Sequence, residues 1–362
     1  MNQRIVQVAV LTLLLTTGVS LGFSQTSSEL KNFLNQRLGL NQDQIAAIQH
    51  GQPFAKNVKP RSPAEIFVIG VIYINAAPEG YIKFVSDFNN LRHLPFPKIL
   101  AIKKFSDPPQ LSDLEGFGLD SDDIKALRDC KPGKCEIQVP ASTAMDELRK
   151  SVNWSAPNVD EQVNELLRKL ALARLVDYQK EGTRAFAEIY NDKGQKVSVA
   201  DQFKYMLSYY QVLPRDLPAF NKYIVDYPNA KLPNVENTFR WERADFGLKP
   251  TLFIMHAPTL RGEKPDEAAY VIADEQLYSS HYFETSLDLT FLIRGSDDPK
   301  QPGFYLVKTM ACEQAVLTGF KGSMERKIAV RPLGLQAAEV LSLRQGRSGA
   351  SEIGDGWSGG AL

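Results

Sequence analysis

The chain has 362 residues, enough for about two domains or for one large domain carrying an insertion. Its 43% hydrophobic and 23% charged content is that of an ordinary globular protein. Basic and acidic residues balance at 42 each, so no global field draws the chain to nucleic acid or an anionic membrane, and nucleic-acid binding is excluded as its main business.

At the N-terminus, Arg4 precedes an apolar run over residues 5–15, and Gly22-Phe23-Ser24 follows. This reads as a secretory signal peptide over 1–24, cleaved near Ser24. A retained membrane anchor is the alternative, although the run is short of the ~20 residues a span needs. The expected address is a bacterial periplasm or exterior. Cys130 and Cys135 enclose Lys-Pro-Gly-Lys, a turn that brings two Cβ atoms together. A local disulfide is the favoured reading in such a compartment. A zinc site is the alternative, but there is no second ligand pair. Cys312 is left over on an apolar strand as a small buried hydrophobe.

Residues 25–63 form an N-terminal arm with two short amphipathic helices, the second stopped by Gly51. Residues 65–75, EIFVIGVIYIN, are apolar on both parities and suit a strand covered on both faces. Ala76-Ala77-Pro78-Glu79 opens a helix with an early proline and an acidic first turn, and residues 97–105 give a second strand. A strand, then APxE, then a helix ending in Asp87-Phe88, then another strand resembles the opening of the START-like (helix-grip, SRPBCC) superfamily. That resemblance implies an α+β fold: a curved antiparallel sheet wrapped around a C-terminal helix, with an apolar ligand held between them. The chain is also similar to a family of uncharacterised exported bacterial proteins, through the Cys130–Cys135 loop, the stretch from Trp241 to Pro250, and LYSSHYF at 277–283; this second likeness implies no activity.

From 111 to 245 the pattern turns helical. Val163, Leu166, Leu167, Leu170, Ala173 and Val176 follow helical spacing up to Gly182, and Ser198 caps a further helix. This predicts a helical insertion at 111–245 between the two parts of one START-like domain, 64–110 and 246–345, followed by a disordered tail at 346–362. In the second part, strands are expected at 251–258 and 267–274. One long strand over 277–293 follows, with His281, Phe283, Leu287 and Leu289 on a buried face and Tyr282, Glu284, Asp288 and Thr290 on a wet one. The helix at 318–345 is expected to break near Pro332.

The chemistry of the chain is sparse. His281, Phe283 and Leu287 share a strand parity, and His256 falls on a neighbouring strand, so these four are the candidate ligand-binding residues. His281 is also the one candidate acid–base group, with Tyr278 or Glu275 as helpers; a core histidine bonded to the backbone is the plainer reading of it. A metal held by His256, His281 and Asp274 has no supporting spacing, no GxSxG nucleophile elbow is present, and no cofactor is called for. Basic residues near Arg326 allow a transient contact with a membrane surface or lipid head group, or form a solvated helix face. The expected activity is binding or carrying an apolar small molecule or lipid. An enzyme of the cyclase, dehydratase or hydrolase type working through His281 is one alternative, and an envelope scaffold is another.

Overall fold

The computed structural model describes residues 34–313 apart from 37–38, 60–63, 94–96, 132–134, 136, 139–143, 187, 191–193, 210–216, 264–267 and 296–302. The expected signal peptide, the C-terminal helix with its basic residues, and the tail lie outside the described residues. Among the described residues no helix is long and apolar enough to cross a membrane.

The protein is α+β, built on an eight-stranded antiparallel sheet. Helix α1 (Gln42–Gln49) leads into β1 (Phe54–Asn57) and β2 (Glu65–Ile74). The chain then crosses through α2 (Pro78–Ser86) and α3 (Phe88–Arg92) to β3 (Lys98–Lys104) at the far edge. After a largely helical stretch it returns in β6 (Val235–Asp245), β7 (Thr251–Arg261), β8 (Tyr270–Ser279), β9 (Thr285–Arg294) and β10 (Phe304–Glu313). These five strands step back across the sheet until β10 pairs with β2, giving the order β1-β2-β10-β9-β8-β7-β6-β3. The strands on either side of the helical stretch thus share one sheet.

Local chemistry explains these elements. Pro78 sits in the first turn of α2, where its missing N–H costs nothing, with Glu79 beside it to meet the helix dipole. Asp87 accepts from the Asn89 N–H at 3.0 Å and so starts α3 afresh. Between β3 and β6 lie α4 (Ser121–Asp129), α5 (Ala144–Ser151), α6 (Val159–Glu181), a two-stranded ribbon of β4 (Glu188–Tyr190) and β5 (Lys196–Ser198), α7 (Val199–Tyr209) and α8 (Pro218–Val225). Helix α6 buries Val163, Ala171, Leu175 and Tyr178, one stripe at helical spacing.

Two expectations need correcting. The insertion is not helical to 245: β6 belongs to the main sheet and pairs with both β3 and β7. Its alternation (Phe239 and Trp241 buried toward the insertion, Ala244 toward the other face) is blurred by the partly buried charges Arg240, Glu242 and Arg243, which mask the period of two. The long strand over 277–293 is instead two strands. Between Ser279 and Thr285 the chain reverses through Tyr282, which has φ 61, while the Phe283 N–H donates to the His281 carbonyl. Alternation happens to continue in phase across this turn, so periodicity alone cannot reveal it.

The sheet has two distinct faces. Phe67, Ile69, Val71, Leu287, Leu289, Phe291, Tyr305 and Val307 point to the helical side, where they pack with α1, α7 and α8. Further along the same face, Phe239, Trp241, Leu252 and Ile254 pack against α4, α5 and α6. The opposite face meets α2 through Ile72, Leu292 and Leu306, and α3 through Ile102, Phe253 and Met255.

Gly182 ends α6 with φ 61, and a Cβ there would lie 1.8 Å from the Tyr227 carbonyl oxygen. Backbone against backbone leaves no flexible side chain to yield. Gly182→Ala is therefore expected to lower stability by roughly 3 kcal/mol, from the left-handed backbone together with the clash. Gly247→Ala, at φ 79 but with nothing within 4 Å, should cost only about 1 kcal/mol. Denaturant midpoints of the two variants check the ranking, which fails if they are equal.

Candidate functional site

The four sequence-derived candidates do not meet in one cavity. Leu287 is fully buried against the helical layer. Phe283 lies in the β8–β9 turn, its ring 5.3 Å from Phe246 and 5.5 Å from Phe253. His281 and His256 are buried in two separate polar brackets, each joining the sheet to the insertion. His256 and Asp274 leave the sheet on opposite faces, so they do not converge on a metal.

The first bracket centres on Asp123, in the first turn of α4. Its carboxylate accepts from Lys249 Nζ at 2.9 Å and lies 2.9 Å from His281 Nε2, while being only 3% exposed itself. Burial by itself would raise the Asp123 pKa, but the bonds from Lys249 and His281 outweigh it and hold the carboxyl below its ordinary value. The Gln138 N–H donates to the Ser280 carbonyl, so the chain on both sides of the Cys130–Cys135 pair fastens onto this turn. The two cysteines are bonded, with Cα atoms 4.7 Å apart, and Cys312 is buried elsewhere on β10. His281 thus serves as a core histidine, bonded to a carboxylate where the sequence suggested a carbonyl.

The second bracket joins α6 to the helical face of the sheet. Tyr178 donates to Glu275 Oε2 at 2.8 Å and lies 2.9 Å from His256 Nδ1, while His256 Nε2 is 2.8 Å from Asn237 Oδ1. An amide oxygen can only accept, so Nε2 carries a hydrogen. His256 Nδ1 also lies 3.5 Å from Glu275 Oε2, so imidazole, hydroxyl and carboxylate form one contiguous polar group. Phe239 stacks on His256 at 4.5 Å and Tyr227 packs at 4.6 Å, which seals the group. Burial, followed by the Glu275 charge, pushes the Tyr178 hydroxyl well above its ordinary pKa, so it stays protonated. Glu275 is likewise buried, and Tyr278 is part-buried with its hydroxyl pushed up in pKa by burial and then by the Asp123 charge.

On the opposite face a charged row crosses four strands; the sequence reading named Asp274 and Asp288 but did not join them to Arg240, Glu242 and Lys308. Arg240 on β6 reaches Glu242 at 3.1 Å and Asp274 on β8 at 2.7 Å. Asp274 is directly opposite Asp288 on β9, and Lys308 on β10 is 3.8 Å from Asp288. These five side chains are only 14–22% exposed. Two carboxylates facing each other across a ladder destabilise the sheet unless a third party intervenes. Burial above all, then the charges of Asp274 and Glu242, push Asp288 up to about 7 in spite of Lys308. Asp274 and Glu242 hold the Arg240 guanidinium firmly charged against its burial. The clue available in the sequence was β2: a strand apolar on both parities implies that both faces of its sheet are covered, so polar positions elsewhere in that sheet, such as those of β9, are part-buried.

Neither a scan against protein-family models nor a search of curated proteins returns a match.

Asp123 and Asp288 should respond to pH with opposite signs. Asp123, depressed when folded, contributes stability above its unfolded value near 3.8 and loses it as pH falls further. Asp123→Asn should cost about 3 kcal/mol at neutral pH, since it strands a buried partner, and should flatten the acid limb of the stability curve. Asp288, raised when folded, retains a proton that the unfolded chain releases, so stability falls as pH rises from about 4 to about 7. Asp288→Asn should make that decline shallower, leaving the share of Glu313, which burial also raises to about 7. Urea melts between pH 3 and pH 8 test both, and wild-type slopes in either variant refute the assignment.

Proposed function

We propose that this protein binds and carries an amphipathic small molecule, such as a lipid, against the α2–α3 face of its sheet, in the manner of START-like proteins. The carrying observation is the strand order β2-β10-β9-β8-β7-β6-β3, in which the first and last long strands pair and two helices carry the chain from the first of these positions to the seventh. This order fits the resemblance seen at residues 65–105 and supports reading the α2–α3 face as the one a ligand would use.

The composition of that face supports a head group as well as an apolar body. Leu292 and Leu306 flank the charged row toward α2, and Phe253 and Met255 flank it toward α3. Half-buried charges between apolar flanks suit a ligand with one polar end, since burial of the body supplies affinity at ~25 cal/mol per Å² and the row fixes orientation. A wholly apolar ligand would leave the row desolvated and unpaired by anything new.

Native mass spectrometry of protein purified from its own host should find a bound small molecule, and stripping it with organic solvent should lower the melting temperature. A bare-chain mass, together with melting unchanged by stripping, would sink this reading. Replacing Arg240 and Lys308 by Met should reduce recovery of the ligand by about tenfold, the worth of one charged contact.

A further inference from the structure

The charged row on the α2–α3 face holds one carboxylate more than its cations serve. Glu242 and Asp274 both bond to the Arg240 guanidinium, at 3.1 Å and 2.7 Å. Asp288 is left with Lys308, whose Nζ is 3.8 Å away, beyond hydrogen-bond reach. No described residue donates a hydrogen bond to the Asp288 carboxyl. Directly across the ladder stands Asp274, so the register of β8 and β9 itself holds the two carboxyl groups side by side.

The titratable and charged groups that face Asp288 come from every element around it. Strand β8 contributes Asp274, β10 contributes Lys308, and β6 contributes Arg240 with Glu242. From α2 comes Tyr81, whose hydroxyl is pushed up by burial and then by the Asp274 charge, and so stays neutral. Helix α3 packs beside the row through Phe88 and Leu91, which bring no charge. With Asp288 ionised the row holds two cations and three anions, and with a proton on it the charges balance. Burial, followed by the Asp274 and Glu242 charges, keeps that proton in place up to about 7. A ligand body laid over the row removes its remaining water, and loss of water favours the neutral form of a carboxyl. Ligand and proton therefore strengthen each other's binding.

We propose that the ligand of this face carries an uncharged head group with acceptor oxygens, a hydroxyl or an ester or amide carbonyl, and that it binds together with one proton on the Asp274–Asp288 pair. The proposal rests on the carrier reading above and adds the class of head group and the control of release. The head oxygens accept from Arg240 and Lys308, and the proton comes from solvent. As pH rises through neutrality the proton returns to solvent, and an unbalanced charge is left beneath an apolar body. That is costly, and the ligand is released. Charge selects against the other classes. An anionic head adds to the carboxylates already there, whereas a cationic head displaces the proton and so binds better, not worse, at higher pH.

Calorimetric titration of the solvent-stripped, full-length protein at pH 6 and pH 8 tests this. The probes are monodecanoylglycerol, decylammonium and decanesulfonate, which share a chain and do not titrate in this range. Monodecanoylglycerol should bind tightest at pH 6 and about tenfold more weakly at pH 8, following the protonated fraction of one group that titrates near 7. At pH 7, heats in two buffers of different ionisation enthalpy should show about half a proton taken up per ligand. Asp288→Asn, first confirmed as folded by its melting transition, should lose both the pH dependence and the proton uptake. Glu313 also titrates near 7, but it lies at the end of β10 opposite Glu65 and is untouched in that variant. Equal affinity at both pH values, a wild-type fall retained in Asp288→Asn, or a charged probe binding tightest at pH 6 would overturn the proposal. If protein from the host carries a ligand in any of these cases, the carrier reading survives alone. A bare host protein that binds none of the three probes removes both.

Discussion

The pairing of β10 with β2 is the interaction on which the rest of the molecule depends. Ten consecutive positions, from Phe304 opposite Ile74 to Glu313 opposite Glu65, join strands separated by more than half of the chain. Without it, β2 would have only the four-residue β1 as a neighbour, and its hydrophobic side chains would lack half of their lateral support on both faces. The pairing also dictates where the insertion can go. Once both ends of the sheet are joined through β6 to β10, the roughly 130 intervening residues have one face left to cover. They fill it with α6, α7 and α8, while α2 and α3 take the other.

This division of labour gives the faces different characters. The helical face is sealed by aromatic stacking and by two polar brackets, one on Asp123 and one on the His256–Tyr178–Glu275 group. Each bracket sets protein partners across the boundary between sheet and insertion, although Glu275 Oε1 is buried without a hydrogen-bond partner among the described residues. The other face keeps Arg240, Asp274, Asp288 and Lys308 partly wet, including two carboxylates in register that serve no packing purpose. Such an arrangement is tolerated where it does something, because a sheet built for stability alone would carry alternating signs or apolar residues there.

Parts of this were open to a reader of the chain. The length and spacing of α6, the proline at the start of α2 and the apolar run of β2 all state their local structure directly, since each depends on neighbours only a few residues away. The cysteine pair is equally local. What could not be read depends on distant partners. The reversal at Tyr282 is invisible because the alternation of LYSSHYFETSLDL stays in phase across the turn. Strand β6 is obscured because Arg240, Glu242 and Arg243 occupy positions that only become part-buried once β3, β7 and β8 are in place. His281 appeared as a cavity group because its partner, Asp123, lies 158 residues away in another element. Parity correctly separates Leu287 and Leu289 from Asp288 and Thr290, but it cannot say which of the two sets a ligand would meet.

The two outer strands of the sheet carry a final consequence, for self-association. An open edge presents unpaired backbone donors and acceptors to any second strand. On one side the edge is β1, only four residues long and exposed at Lys56 and Asn57. On the other it is β3, whose register against β6 slips between Ile99 and Ala101, and which bears lysines at 98, 103 and 104. A short strand, an irregularity and a run of like charge are three separate obstacles to edge-to-edge stacking. Among the described residues the large sheet ends at these two strands, and neither offers a long flat edge on which copies of the chain could stack into a growing fibre.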